Sequence, residues 1–282
     1  MKSTHRSLLI PVLAAALLAA PLLASAEEAH CKFSEPRSLK LDLAGAKSVL
    51  FEVGSSDLKL KAAAGADNTL TGRACASSQD LLKGLTVTQK RSGDKLIVSL
   101  TEDRPIRISL GTSYSYLDLT GTVPNDVLVQ LDVGSGDATL SGAQAASADV
   151  GSGDVDLRDI AGPVTAKIGS GDLKLDGAGA LKVLSIGSGD LEAARVAGKA
   201  EVGSVGSGDL TLKGVGGGFS LKSIGSGDVD LSDVTGDVEV GSVGSGDLTV
   251  RDVRGSLTVH SRGSGDIDQR GVTGTVNVPK EH

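Results

Sequence analysis

The tetrapeptide Gly-Ser-Gly-Asp occurs eight times in this chain, beginning at Gly134, Gly151, Gly169, Gly187, Gly206, Gly225, Gly244 and Gly263. The intervals are 17, 18, 18, 19, 19, 19 and 19 residues. A period of that size means that one small unit is stacked on itself. With the first glycine as position 0, the unit from Gly225 carries Val229, Leu231, Val234, Val238, Val240 and Val243 at positions 4, 6, 9, 13, 15 and 18. The unit from Gly206 repeats the pattern with Leu210, Leu212, Val215, Phe219, Leu221 and Ile224. Pairs two residues apart follow the strand period, so alternate side chains face one interior.

The same positions pair at a distance of nine (4 with 13, 6 with 15, 9 with 18), so each unit is a doubled half-unit. A second glycine recurs accordingly at Gly162, Gly198, Gly217, Gly236, Gly255 and Gly274. Each coil therefore has two short strands and two glycine corners. Glycine suits a corner because it accepts positive φ and lets backbones approach closely. The pattern predicts an all-β chain, a flattened parallel β-solenoid (β-helix or β-roll-like) with coils of 17–19 residues. A flexible Gly-Ser linker would have no reason to keep apolar residues at six fixed positions.

Three segments follow from this division. Residues 1–26 read as a secretory signal peptide, with Lys2 and Arg6 ahead of the apolar run Leu8–Leu23 and the small residues Ala24-Ser25-Ala26 at its end. Residues 27–133 read as an irregular all-β N-terminal cap continuous with the solenoid, and 134–282 as eight coils. Within the cap, Val53–Leu60 is a degenerate copy of the motif. Leu85–Gln89 and Leu96–Leu100 read as a β-hairpin around Gly93-Asp94, with Ile106–Leu110 and Leu117–Val123 as further strands. A cap is expected because an open solenoid end is an unpaired strand edge. At the far end Arg262 and Gln269 replace core aliphatics, as a solvent-facing last coil would allow.

Without Lys2 and Arg6 the 28 basic side chains fall to 26 against 35 acidic, a net charge of −9. That balance opposes binding to nucleic acid and to anionic lipid. No segment of the mature chain is apolar and long enough to span a bilayer. Cys31 and Cys75, an even pair in an exported chain, are expected to form a disulfide, a buried pair of free thiols being the alternative. A catalytic thiol is not expected, since the mature histidines, His30, His260 and His282, lie in no recognisable nucleophile motif.

The sharpest chemical candidate is the column Asp137, Asp154, Asp172, Asp190, Asp209, Asp228, Asp247 and Asp266. Stacked at the coil spacing, like charges repel by ~1 kcal/mol per neighbour in water, so something must offset them. The structural reading has each carboxylate accepting backbone N–H groups at its own corner. The functional alternative is a column of Ca²⁺ ions, although nonapeptide calcium rolls place aspartate two residues after glycine and this motif places it directly after. The parallel serines, Ser135 to Ser264, read as stacked hydroxyls. No catalytic residues and no cofactor are predicted, and no repeat carries an inserted loop that could wall a substrate cleft.

The repeated Gly-Ser-Gly-Asp-[Val/Leu/Ile]-x-Leu, preceded by Gly121-Thr122-Val123-Pro124-Asn125-Asp126-Val127, resembles a bacterial putative-adhesin domain family of unknown function, related to the head domain of putative autotransporter adhesins. The resemblance covers roughly residues 45–278. It implies a β-solenoid in the bacterial envelope or outside the cell, periplasmic or at the cell surface, with an adhesive or scaffolding role and no catalytic motif. The implied partner is an envelope or cell-surface component, protein or polysaccharide. The alternatives are a structural or stress-related periplasmic protein without a specific ligand, and a polysaccharide-acting β-helix enzyme.

Overall fold

The computed structural model describes residues 31–103 and 113–280. The signal-peptide segment and the strand expected at Ile106–Leu110 lie outside the described residues. In the repeat region each coil contributes one strand to each of two parallel sheets. The first coils run through β8 (Leu128–Val133), β9 (Ala138–Ser141), β10 (Ala145–Val150), β11 (Val155–Ile168) and β12 (Leu173–Ile186). The last two are long enough to bend through a corner and serve both sheets. From there β13 (Leu191–Val196), β15 (Leu210–Val215), β17 (Val229–Val234), β19 (Leu248–Val253) and β21 (Ile267–Val272) extend the first sheet. The second sheet continues with β14 (Ala200–Val205), β16 (Phe219–Ile224), β18 (Val238–Val243), β20 (Leu257–Arg262) and β22 (Val276–Asn277). The register is that of the repeat: Leu210 pairs with Val229 and Val229 with Leu248.

The six apolar positions of each unit are the core. Val229, Leu231, Val234, Val238, Val240 and Val243 are each at most 2% exposed, and the coils before and after repeat the pattern. In the last coil Ile267 and Val272 are half-buried, and Gln269 and Val276 are exposed.

The N-terminal region joins the same stack, in an order the chain does not follow. β1 (Phe33–Lys40), β2 (Ser48–Gly54), β3 (Asp57–Ala62) and β4 (Thr69–Ala76) are followed by a short helix, α1 (Gln79–Gly84), then β5 (Leu85–Ser92), β6 (Lys95–Glu102) and β7 (Ser115–Val123). β2 and β3 form a complete coil, pairing in parallel with β8 and β9 on one side and with β6 and β7 on the other. Val49, Phe51, Val53, Leu58, Leu60 and Ala62 fill its interior. The chain thus lays down the β2–β3 coil, stacks β6–β7 outside it, and returns over it to start β8.

Beyond β6 and β7 the pairing becomes antiparallel. β5 forms the hairpin with β6, and β4 and β1 add to β7 in turn. These strands cover the edge that a bare coil would leave open. The cap is not purely β: Ser78 caps α1 by accepting the Leu81 N–H at 3.3 Å, and Leu82 anchors the helix in the core. A helix of six residues leaves too short an apolar pattern to be read from sequence.

Candidate binding surface

The Gly-Ser-Gly-Asp edge is built by contact between coils. The Ser207 and Gly208 N–H groups both donate to the Gly187 carbonyl, at 2.8 and 3.1 Å, and the same pair of bonds recurs at the neighbouring corners. A Cβ on Gly208 would lie 1.9 Å from the Gly189 carbonyl oxygen, and one on Gly206 would lie 2.6 Å from that of Gly187. The corner glycines were expected to use positive φ as well, but none of them does. Close backbone approach alone selects glycine there.

Left-handed backbone occurs instead at position 8, where Gly142, Asp159, Gly177, Arg195, Gly214, Asp233, Asp252 and Gly271 have φ between 52° and 90°. This residue bends the strand between the second and third inward side chains. The mixture of Gly, Asp and Arg hid this column from pattern reading, although Gly and Asp tolerate that conformation.

The eight aspartates stand in line and solvent-exposed, as the spacing requires. From Asp137 to Asp247 the carboxylates bond to the next coil and not at their own corners. Each of the first seven accepts the backbone N–H of the aspartate one coil later, at 2.8–3.4 Å: Asp137 from Asp154, Asp154 from Asp172, Asp172 from Asp190, Asp190 from Asp209, Asp209 from Asp228, Asp228 from Asp247, and Asp247 from Asp266. Asp57 extends the ladder by accepting from Asp137 at 3.4 Å. An N–H aimed at each carboxylate offsets repulsion along the column. Among the described residues no group of three His, Cys, Asp or Glu side chains is placed to hold a metal ion. At the second corner Asp237 accepts from Ser256 N–H at 2.8 Å, and Ser256 Oγ accepts from Thr275 N–H at 3.2 Å.

Both ends are pinned by specific side chains. Cys31 and Cys75 form a disulfide with Cα atoms 5.5 Å apart, tying the start of β1 to β4. At the other end Arg262 folds over the last coil, donating from Nε to the Gly265 carbonyl and from Nη2 to Asp266 Oδ1, both at 2.7 Å. His260 is exposed, with Nε2 3.0 Å from Glu239 Oε1.

Among the described residues the outer surfaces carry several hollows. One of about 350 Å³ lies where the aspartate edge meets the cap, lined by Ser55, Asp57, Tyr114, Tyr116, Ser135 and Asp137. It gathers both tyrosines of the chain beside two carboxylates. Burial raises the Asp57 pKa above the ordinary carboxylate value, the Asp137 N–H works against that rise, and the charges of Asp137 and Asp118 add to it. Sequence reading missed this site because Tyr114 and Tyr116 reach the corner through the β3–β7 pairing, which no motif announces.

On the second sheet two larger hollows, about 520 and 660 Å³, flank Leu184, which is 51% exposed. In the hollow on its N-terminal side, burial raises the Asp132 pKa, with the nearby charges of Asp149 and Glu52 acting in the same direction. Among the described residues no helix is long and apolar enough to cross a membrane.

Two solved structures share this architecture. A putative adhesin from Parabacteroides merdae is 14% identical, with a TM-score of 0.52 over 84% of this chain and 96% of its own. A putative adhesin from Parabacteroides distasonis is 13% identical, with a TM-score of 0.52 over 84% of this chain and 97% of its own. At that identity the likeness shows the fold. No curated protein matches the chain. Residues 163–272 match a family model described as putative auto-transporter adhesin, head GIN domain, so the repeat region is similar to the adhesin-related family that its Gly-Ser-Gly-Asp motif resembles.

Proposed function

We propose that this chain is an exported, non-enzymatic, adhesin-like binding protein of the bacterial envelope, recognising a cell-surface component at the tyrosine-lined hollow. The observation that carries the reading is that Tyr114, Tyr116, Asp57 and Asp137 open onto one depression at the head of the aspartate edge. An aromatic body with a polar tip, set beside carboxylate acceptors and serine hydroxyls, suits a hydroxyl-rich partner such as an envelope polysaccharide. The coils stack without long insertions, so the solenoid holds this hollow on a rigid frame and adds flat surface around it. Export is supported by the basic, apolar and small-residue segments at the start of the chain.

The test is capture of polysaccharide from the envelope fraction of the producing bacterium. The wild-type chain is expected to retain it, and Tyr116→Ala is expected to release it while the melting curve stays cooperative. Equal retention by the variant, or retention of nothing by the wild type, would overturn the reading.

A further inference from the structure

The second sheet carries an axial row of outward side chains over nine successive strands: Glu52, Asp132, Asp149, Lys167, Leu184, Gly203, Lys222, Gly241 and His260. The first four are locked together by strand register, Glu52 with Asp132, Asp132 with Asp149 and Asp149 with Lys167. From β12 onward each strand gains one residue ahead of its last inward side chain, and Leu184, Gly203, Lys222, Gly241 and His260 occupy that extra place in line with the row. Gly203 and Gly241 are forced, since a Cβ there would lie 2.0 and 2.3 Å from a backbone carbonyl oxygen of the previous coil. The result is a pit, a cation and a second pit in sequence on one side of Leu184. On its other side stand a cation and three carboxylates.

The row is complementary to itself when reversed about Leu184. Lys167 comes opposite the pit at Gly203, Asp149 opposite Lys222, Asp132 opposite the pit at Gly241, and Glu52 opposite His260. Leu184, the row's exposed large apolar residue, meets its own copy. We propose that this face is a two-fold interface between copies of this chain, packed sheet to sheet with their solenoid axes antiparallel. The axis would run along the strand direction through Leu184, an isologous arrangement in which every contact occurs twice. The other two-fold in the plane of the face, parallel to the solenoid axis, would set the three carboxylates against themselves. Charge therefore selects the antiparallel packing.

The neighbouring row is compatible. The same operation sets Glu201 against Thr165, Ser220 against Ser147 and Glu239 against Gln130. Lys182 meets its copy on the axis, with Glu201 of each chain one strand away. Within the chain Glu201 is already paired with Lys199 and Glu239 with His260. Nine strands at ~4.8 Å and about 20 Å of strand length give a face of about 750 Å² per chain, close to the ~800 Å² per partner of a standard stable interface.

Sedimentation velocity of the purified chain over a concentration series tests this. The wild type is expected to run as a dimer that weakens with added salt. Lys222→Asp, which makes two like-charge contacts across the axis, is expected to weaken association about 100-fold or more, and Leu184→Glu is expected to give a monomer. The double variant Asp149→Lys/Lys222→Asp restores opposite charges in both contacts and should return the dimer. Lys213→Glu on the first sheet should leave it unchanged. A wild-type chain monomeric at every concentration, a dimer indifferent to Lys222→Asp and Leu184→Glu, or a folded double variant that stays monomeric would each overturn the proposal. None of these results bears on polysaccharide capture at Tyr116.

Discussion

The backbone N–H of Asp209 donates to the Asp190 carboxylate 2.8 Å away, one coil below. The bond turns a column of like charges into a column of charge-assisted contacts, and it makes two different replacements separable. Asp190→Ala removes the acceptor and is expected to cost about 1 kcal/mol. Asp190→Asn keeps an acceptor oxygen and removes one repelling charge, so its stability at neutral pH should stay within about 0.5 kcal/mol of wild type. Urea unfolding of the two variants side by side reads the difference.

Corner glycine is the least replaceable residue of the unit. Gly208→Ala places a methyl group against a backbone oxygen that cannot rotate away, and is expected to cost about 3 kcal/mol or more. Ser207→Ala, one residue earlier on an exposed side chain, should stay within about 0.5 kcal/mol. Comparable losses for the two in a thermal melt would contradict the close-approach account.

At position 8 the backbone itself is the constraint. Asp233 has φ 58°, so Asp233→Val, β-branched and disfavoured there, is expected to destabilise by about 1–2 kcal/mol. Asp233→Gly should match or exceed wild-type stability. A tolerated valine would mean that the strand bends by other means.

Reduction addresses the cap. The disulfide closes a loop with a sequence separation of 44, for which chain entropy gives roughly 4 kcal/mol. Reducing the bond, or Cys75→Ser, should therefore loosen the antiparallel strands β1 and β4 before the coils. Hydrogen exchange that rises first in residues 33–40 and 69–76 is the expected result.

Asp57 supplies a pH dependence with a definite sign. Its pKa is raised in the folded chain, first by burial, so the folded state holds its proton more tightly than the unfolded state. Its ionisation therefore reduces stability as pH rises from the unfolded value of 3.8 through the higher folded value. Asp57→Asn should raise the melting temperature at pH 7, with the gain over wild type shrinking as the pH falls below that window. A variant that melts lower than wild type at pH 7 would show that the Asp137 N–H contact outweighs burial.

The coil interior was legible because a solenoid core must be periodic. Six inward positions that recur in every unit leave one reading of which side chains are inside, and Val229 to Val243 obey it. The aspartate and glycine columns were legible as columns, but their bonding was not. Whether Asp190 accepts within its own corner or from Asp209 depends on coil-to-coil offsets that spacing does not encode. The placement of β6–β7 outside β2–β3 was hidden for a related reason. It rests on pairings such as Leu58 with Leu119, between segments that share no repeat. The hollow at Tyr114 and Tyr116 follows from that pairing and was hidden with it.

The Gly-Ser-Gly-Asp repeat is the contact between coils, and the proposed recognition site is the tyrosine-lined hollow. The most direct measurement compares capture of envelope polysaccharide by two purified variants. One is the triple corner variant Asp190→Asn/Asp209→Asn/Asp228→Asn, and the other is Tyr116→Ala. The triple variant is expected to capture like wild type, and Tyr116→Ala is expected to lose capture. A folded triple variant that no longer captures polysaccharide, beside a Tyr116→Ala that still does, would contradict this assignment.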